Sequence, residues 1–385
     1  MIRIPNQDMR LLWLKSNFLL NTKNEKIDVL QIIKDLWFIQ IDSIQNVTRA
    51  QHHILRSRNN RYKEYMLDEL LLEKWKIFEH FTHDASVLPV ELYPMWKWHF
   101  QRIKEKIDKS KYYKDLLDEN KIEEIINRFK KEGALQSLDF NSKLSGQKGL
   151  WLKSTYKTTL DYMWYSWILA TAYRKKFRKY YDLSENIIPN NILNKKISED
   201  QQTDYLCTKA LSILGIANPK EIKNFWGSLN INEVNKWFRN NKEKSIEIEW
   251  ENNEWNYIKS YATADIEKKI NEIKKINKKI QIINPFDPAI RDRTRLKKIF
   301  NFEYKIEIFV PKEKRVRWYY VYPVLLWCDF IWRIEIQADR KIKQLNILNF
   351  WKEKWVVWNT EKQEKLDKEL INFALLIDIK DIKWL

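Results

Sequence analysis

Two side chains two residues apart offer chemistry in this 385-residue chain: Gln40 and Asp42, in the segment FIQIDSIQNVTRAQHHILRSR over residues 38–58. From Trp37 to Asp42, Trp37, Ile39 and Ile41 alternate with Phe38, Gln40 and Asp42. That is the period of a strand, on which residues i and i+2 share a face. Gln40 and Asp42 would then project together while Ile41 packs inward; on a helix they would point apart. A carboxylate with a reference pKa of about 3.9 is ionised at neutral pH. Beside an amide it can hold a water, accept its proton or stabilise a developing cation. Read instead as strand-end polarity, the same pair only satisfies neighbouring backbone groups, and the spacing alone leaves both readings open.

Just downstream, Arg49, His52 and Arg56 stand at i, i+3 and i+7 of a predicted helix and share one face, with Arg58 following. That face suits phosphate contact, or is simply solvated. His80 and His83 are spaced i, i+3, and His52 and His53 are adjacent, but no cysteine lies near them and HExxH is absent. A metal site is not expected. The only cysteines, Cys207 and Cys328, lie far apart and form no CxxC pair, so no disulfide framework is expected. No GxGxxG or GxxxxGK[ST] loop occurs, and no nucleotide cofactor is expected.

Charge points to a partner. Seventy Lys and Arg against 52 Asp and Glu give a net charge of +18, a field that favours a polyanion. Abundant Lys, Ile and Asn with only five Gly also fit an AT-rich coding bias. Mean hydropathy is −0.60, no apolar run approaches the roughly 20 residues of a membrane span, and the N-terminus lacks a signal-peptide pattern. A cytoplasmic, nucleoid-associated protein is expected.

The elements that must position these residues follow from periodicity. Residues 6–20, 27–36, 48–58, 64–76, 121–132, 153–166, 203–215, 219–227 and 262–280 read as helices, with Gly133 as a C-cap. Residues 167–181 read as a β wing. From 302 the period becomes 2, so FEYKIEIFV and RVRWYYVYPVLLWCDFIWRIEIQA read as antiparallel strands, with Pro311 and Pro323 at edges or bends. A helix over 360–376 closes the chain. Helices followed by a short strand, two helices and β segments is the order of a winged helix-turn-helix.

The segment LWFIQIDSIQNVTRAQHHILRSR resembles the N-terminal signature of the YcaQ-type winged-helix family. FEHFTHDASVLPVELYPMW (78–96) is similar to its aromatic-His-x-Ala-Ser-x-x-Pro segment. YYDLSENIIP (180–189) also fits, and residues 284–341 resemble its C-terminal core: PFDP, an Asp-Arg pair, Y-x-x-E-x-x-x-P-x-x-x-R and YY-x-x-PVLL. The resemblance implies an α+β, mainly helical fold, with tandem winged helix-turn-helix domains and a C-terminal antiparallel β-rich part. The expected division is 1–115 (carrying Gln-x-Asp), 116–195, 196–283 (a third helical or winged-helix region) and 284–385 (β-rich, with the final helix). It further implies a monomeric, monofunctional DNA glycosylase acting on duplex DNA with alkylation damage, typically N7-alkylguanine, or interstrand crosslinks. Gln40 and Asp42 would be catalytic, in the Gln-x-Asp branch. Arg49, His52, Arg56, Arg58, His83, Arg291, Arg293 and Arg295 are the expected DNA contacts, although residues 291–295 fit a structural ion-pair network equally well. Arg291 departs from the family, which carries an aromatic residue there. Two other readings of the composition and helices are a winged-helix transcription regulator and a non-catalytic basic scaffold.

Overall fold

In the computed structural model the described residues are 1–20, 28–72, 76–114, 117, 119–140, 155–273 and 279–385. They form two compact units, Met1–Glu64 with Cys207–Leu385, and Tyr65–Leu206. The architecture is mixed α and β.

The N-terminal arm of the first unit runs β1 (Ile2–Ile4), α1 (Asn6–Ser16), α2 (Val29–Leu36), β2 (Ile39–Gln40) and α3 (Ala50–Arg58). Asp28 caps α2 by accepting from the Leu30 amide at 3.3 Å, as N-cap carboxylates do. Trp37 ends α2 in a left-handed conformation, φ 66°, sparsely populated for a non-glycine residue. It is held by the edge of Trp226 and by the Lys209 ammonium 5.0 Å over its ring. This corner aims β2 into the core.

The second unit contains the helix Tyr65–Leu72, the hairpin β3 (Ile77–Phe81) and β4 (Ala85–Pro89), and the helices Tyr93–Asp108 and Glu119–Glu132. Next come β5 (Leu135–Gln136), the helix Thr155–Tyr165, and the hairpin β6 (Leu169–Lys175) and β7 (Arg178–Leu183). That hairpin covers most of the β stretch expected over 167–181. Gly133 follows its helix at φ 78° and donates to Phe129 O, the αL cap that lacks a Cβ penalty. Phe129, Phe140, Leu160, Met163 and Trp164 form the core beneath the sheet.

The helix Glu199–Leu214 begins in the second unit and ends in the first, where β8 (Ile216–Ala217), the capping-box helices Pro219–Trp226 and Ile231–Asn240, and the hairpin β9 (Ile246–Glu251) and β10 (Tyr257–Ala262) follow. β1 joins this sheet in parallel with β9, giving β1-β9-β10-β8. The long helix expected over 262–280 is only Ile266–Asn271; residues 274–278 lie outside those described.

The C-terminal sheet has the order β11-β12-β13-β14-β15, from Ile280–Ile282, Val321–Leu326, Asp329–Asp339, Gln344–Lys352 and Asp381–Trp384. The helix Thr360–Leu375 packs on it. Two expectations need correction. Pro323 lies in β12, between two other strands, rather than at an edge. Its carbonyl accepts from Ile283 at 2.9 Å just where β11 ends, so the missing N–H interrupts no bond. FEYKIEIFV (302–310) forms no strand. Burial alternates only over 302–305 and breaks at Glu307 and Ile308, both buried, and side chains take the place of a ladder. The Arg333 guanidinium donates to Glu303 O at 2.6 Å, and the buried Glu307 carboxylate accepts from the Val316 and Arg317 amides at 3.1 and 2.8 Å.

Candidate active site

Gln40 ends β2 and is only 3% exposed; Asp42, half-buried, already lies beyond the strand. The strand is shorter than its alternation suggests because Asp42 Oδ1 accepts from the Ile44 amide at 2.6 Å. This Asx turn competes with the extended ladder. The Asp42 amide in turn donates to Gln51 Oε1 at 3.3 Å, tying the carboxylate to the first turn of α3. The loop after Asp42 is clamped to the C-terminal sheet. Asn46 Nδ2 donates to Ile336 O, Ala338 donates to Asn46 O at 3.4 Å, and Arg340 Nη2 donates to Val47 O at 2.8 Å.

Behind the carboxylate stands a polar chain within the core. Tyr320 is 1% exposed and its hydroxyl accepts from Asn284 Nδ2 at 3.3 Å. Asn284 Nδ2 also lies 3.4 Å from His53 Nδ1, and His53 Nε2 meets Ile282 O at 2.9 Å. Burial holds the Tyr320 phenol well above its usual range, and the negative Asp42 adds to this. The phenol therefore stays protonated beside the carboxylate. Burial also depresses His53 to about 4, against the upward pull of its carbonyl contact and of Asp287.

The two halves of the first unit are joined by ion pairs. Arg58 is sealed from solvent and makes a two-pronged bridge to Asp287, at 2.6 and 2.8 Å. Its Nε donates to Asn17 O at 2.9 Å. Asp287 also caps the helix Pro288–Arg291 through the Ala289 amide at 2.9 Å. Arg295 is equally committed: it pairs with Glu221 at 2.9 Å, donates to Leu214 O and Ile216 O, and stacks over Trp13 at 4.4 Å.

Thus the expected DNA contacts separate by surroundings. Arg58 and Arg295 have no exposed guanidinium face for a phosphate and serve as buried struts. His52 is also buried, its Nδ1 2.7 Å from Tyr62 OH, and burial takes it to about 4 despite Glu64, which opposes this. It is therefore neutral at pH 7. Arg49, at the start of α3, and Arg56 remain half-buried; Arg56 donates to Asn372 O at 3.2 Å. Arg293 donates to Ile290 O and Pro285 O and covers Tyr304 at 4.5 Å. Arg291 donates to Phe225 O at 3.0 Å and lies 5.4 Å over the Phe38 ring. It fills with a flat guanidinium the place where the family pattern has an aromatic ring. His83 is exposed at the tip of the β3–β4 hairpin in the second unit, 3.1 Å from Thr82 Oγ1.

Sequence reasoning missed Asn46, Asn284, Asp287 and Tyr320 as builders of the site, and with them Tyr322, whose hydroxyl accepts from Asn46 Nδ2 at 3.4 Å. Asp287 and Tyr320 sit inside the PFDP and YY-x-x-P strings, and Asn284 just before PFDP; what the strings could not supply was a partner. Among the described residues no three His, Cys, Asp or Glu side chains gather as a metal set, and no helix is long and apolar enough to cross a membrane.

Comparison with known proteins bears on what this arrangement does. A family model described as DNA glycosylase AlkZ-like matches residues 33–375. The DNA glycosylase AlkZ of Streptomyces sahachiroi superposes over 100% of both chains, with a TM-score of 0.66 at 12% identity; that likeness speaks for the fold. The matched span contains Gln40, Asp42 and the whole polar chain behind them, and the chain belongs to the AlkZ-like DNA glycosylase family.

Proposed function

We propose that this protein hydrolyses the N-glycosidic bond of bulky alkylated purines in duplex DNA, N7-alkylguanine foremost, and unhooks interstrand crosslinks, leaving abasic sites. The observation that carries the reading is the Asp42 carboxylate, two residues past the buried β2, fixed by its own turn and by the hold of Gln51 on its amide, in a chain of this family. Alkylation at N7 makes guanine cationic, so the base is already a good leaving group and little acid help is needed. As the C1′–N9 bond breaks, the sugar gains oxocarbenium character. Asp42 stabilises that charge and takes the proton of the attacking water, and Gln40 aims the water. The water oxygen bonds to C1′ and the base departs with the bonding electrons. No amine nucleophile takes part, so the enzyme is monofunctional and needs no cofactor.

The element order supports tandem winged helices. Helix, short strand, helices and hairpin occur in α2, β2, α3, Tyr65–Leu72 and β3–β4. The same order returns in Glu119–Glu132, β5, Thr155–Tyr165 and β6–β7, and again from Glu199–Leu214 through β8 to β9–β10. On this reading the three fall in 1–115, 116–195 and 196–283, with the C-terminal sheet as the β-rich remainder. Arg49, Arg56, Arg291, Arg293 and His83 are the remaining candidates for contact with the phosphates. The protein acts as a monomer in the bacterial cytoplasm.

The test is a duplex carrying an N7-guanine monoadduct or crosslink, incubated with wild type, Asp42→Asn and Gln40→Ala, then cut with alkali at abasic sites. Cleavage by wild type is expected to fall about 10²–10⁴-fold in Asp42→Asn with binding retained, the usual worth of a positioned base. Borohydride in a parallel reaction should trap no covalent adduct. A folded wild type that binds duplex without cleaving it would return the chain to a regulator's role, and Gln40 and Asp42 to backbone satisfaction.

A further inference from the structure

The segment 305–319, between the helix Arg293–Phe300 and β12, displays apolar side chains that folding does not use. Phe309 is 88% exposed and Val316 82%, with Trp318 and Tyr319 also exposed. Scattered surface hydrophobics are ordinary; four within eleven residues of one loop are a patch that calls for a partner.

The loop is also braced. Glu307, buried, grips the Val316 and Arg317 amides from inside. Val310 donates back to Glu307 O at 3.0 Å, closing a turn with Phe309 at its crest. Arg315 Nε donates to Val310 O at 2.8 Å while its guanidinium lies 5.1 Å over Tyr319. At the base, Tyr304 OH donates to Val321 O at 2.5 Å. A floppy loop could fold its apolar groups away; this one is built to hold Phe309 out.

Its charge selects the occupant. Lys305, Lys312 and Lys314 are exposed and Arg315 and Arg317 half-buried, against one exposed acid, Glu313. Cations interleaved with aromatics suit nucleic acid, phosphates to the first and bases to the second. The loop runs directly into β12 by way of Tyr320, whose hydroxyl accepts from Asn284, and Tyr322, whose hydroxyl accepts at 3.4 Å from Asn46 in the loop that follows Asp42.

We infer that this loop engages the duplex at the lesion and that Phe309 is a wedge, inserted between base steps beside the damaged nucleotide. The inference rests on the glycosylase reading above for where the lesion sits. Apolar wedges elsewhere unstack and kink DNA in this way. Phe309 touches no reacting atom and is a positioning residue: it holds the opened duplex so that the damaged nucleotide can approach Asp42.

The experiment uses the full chain and a duplex with a tetrahydrofuran abasic analogue flanked by 2-aminopurine, whose fluorescence rises on unstacking. Wild type should raise the signal, Phe309→Leu should keep most of it, and Phe309→Ala should abolish it. Phe309→Ala should also slow single-turnover release of an N7-alkylguanine about 10- to 100-fold. Its affinity for undamaged duplex and the salt slope of that binding should stay unchanged, as should its melting temperature, since so exposed a ring supports no packing. Unaltered fluorescence and release in Phe309→Ala, or no signal from wild type, would overturn the wedge and leave the patch to a protein partner. A wild type that raises the signal yet releases no base would instead defeat the glycosylase reading while the wedge stands.

Discussion

At the scale of single residues, the same chemistry serves two ends, and burial decides which. An arginine fully removed from water must have its charge compensated in place, because desolvation of an unpaired ion costs several kcal/mol. Arg58 meets this with Asp287, on the far side of the sequence, with neither side chain exposed. Read along the chain, Arg58 closes a basic run that also holds Arg49 and Arg56; read in space, it is a rivet between α3 and the turn Asn284–Pro288. Arg58→Met should therefore lower unfolding free energy by about 3–5 kcal/mol, the cost of stranding a buried partner, as measured by urea denaturation. A phosphate-binding arginine at the surface would cost under 1 kcal/mol and would instead weaken DNA binding. An unchanged midpoint would show that Asp287 finds another partner or that the pair is open to water.

At the scale of elements, what the sequence made legible was local. The helix α3, the hairpin β6–β7, the cap at Gly133 and the final helix follow from period and from glycine placement, and the structure has them. What was illegible depended on distant partners. β1 pairs with a strand nearly 250 residues away, and nothing in IRI announces it. The alternation of residue types in 302–310 looked like a strand because side chains of any extended segment point to alternate sides; only the side-chain clamps from Glu307 and Arg333 show that no neighbouring strand is needed. The proposed catalytic pair was legible as types and spacing, yet Asp42 sits in a turn, and its surroundings come from Asn284, Tyr320 and Ile336, far along the chain. Gly215 is a further case. It ends the helix Glu199–Leu214 at φ 70°, and a Cβ there would lie 2.9 Å from Leu12 Cδ2 on α1. Left-handed backbone and close approach both require glycine. Gly215→Ala should cost about 1–3 kcal/mol in stability, with single-turnover base release unchanged in the fraction that remains folded. A neutral effect on the denaturation midpoint would mean that Leu12 swings aside and that the αL strain is small.

At the scale of the molecule, the positive charge and the buried histidines set limits in opposite directions. A net +18 favours a polyanion, and lowering the pH adds to it wherever a histidine can charge. The buried histidines resist. His52 and His53 in the first unit and His99 in the second are depressed to about 4, chiefly by burial, and His80 falls well below its usual range for the same reason, with His99 contributing. In the unfolded chain each returns to about 6.5. Between these values the unfolded state binds protons that the folded state refuses, so stability is complete above pH 6.5 and declines as the pH falls toward 4. A shift from 6.5 to 4 corresponds to roughly 3 kcal/mol for a fully buried ring. His80 gives the sharpest test, because it lies among Phe100, Trp164 and Trp167 with ring centroids 4.6 to 5.5 Å away. In that aromatic box a benzene ring can replace the imidazole. His80→Phe should leave stability at pH 8 within about 1 kcal/mol of wild type while reducing the loss between pH 6.5 and 4.5 in the unfolding of the Tyr65–Leu206 unit. The check is chemical denaturation across pH, followed by tryptophan fluorescence. If the variant loses stability with acid as steeply as wild type, the proton uptake lies elsewhere, and His80 must already be charged or hydrated in the folded state.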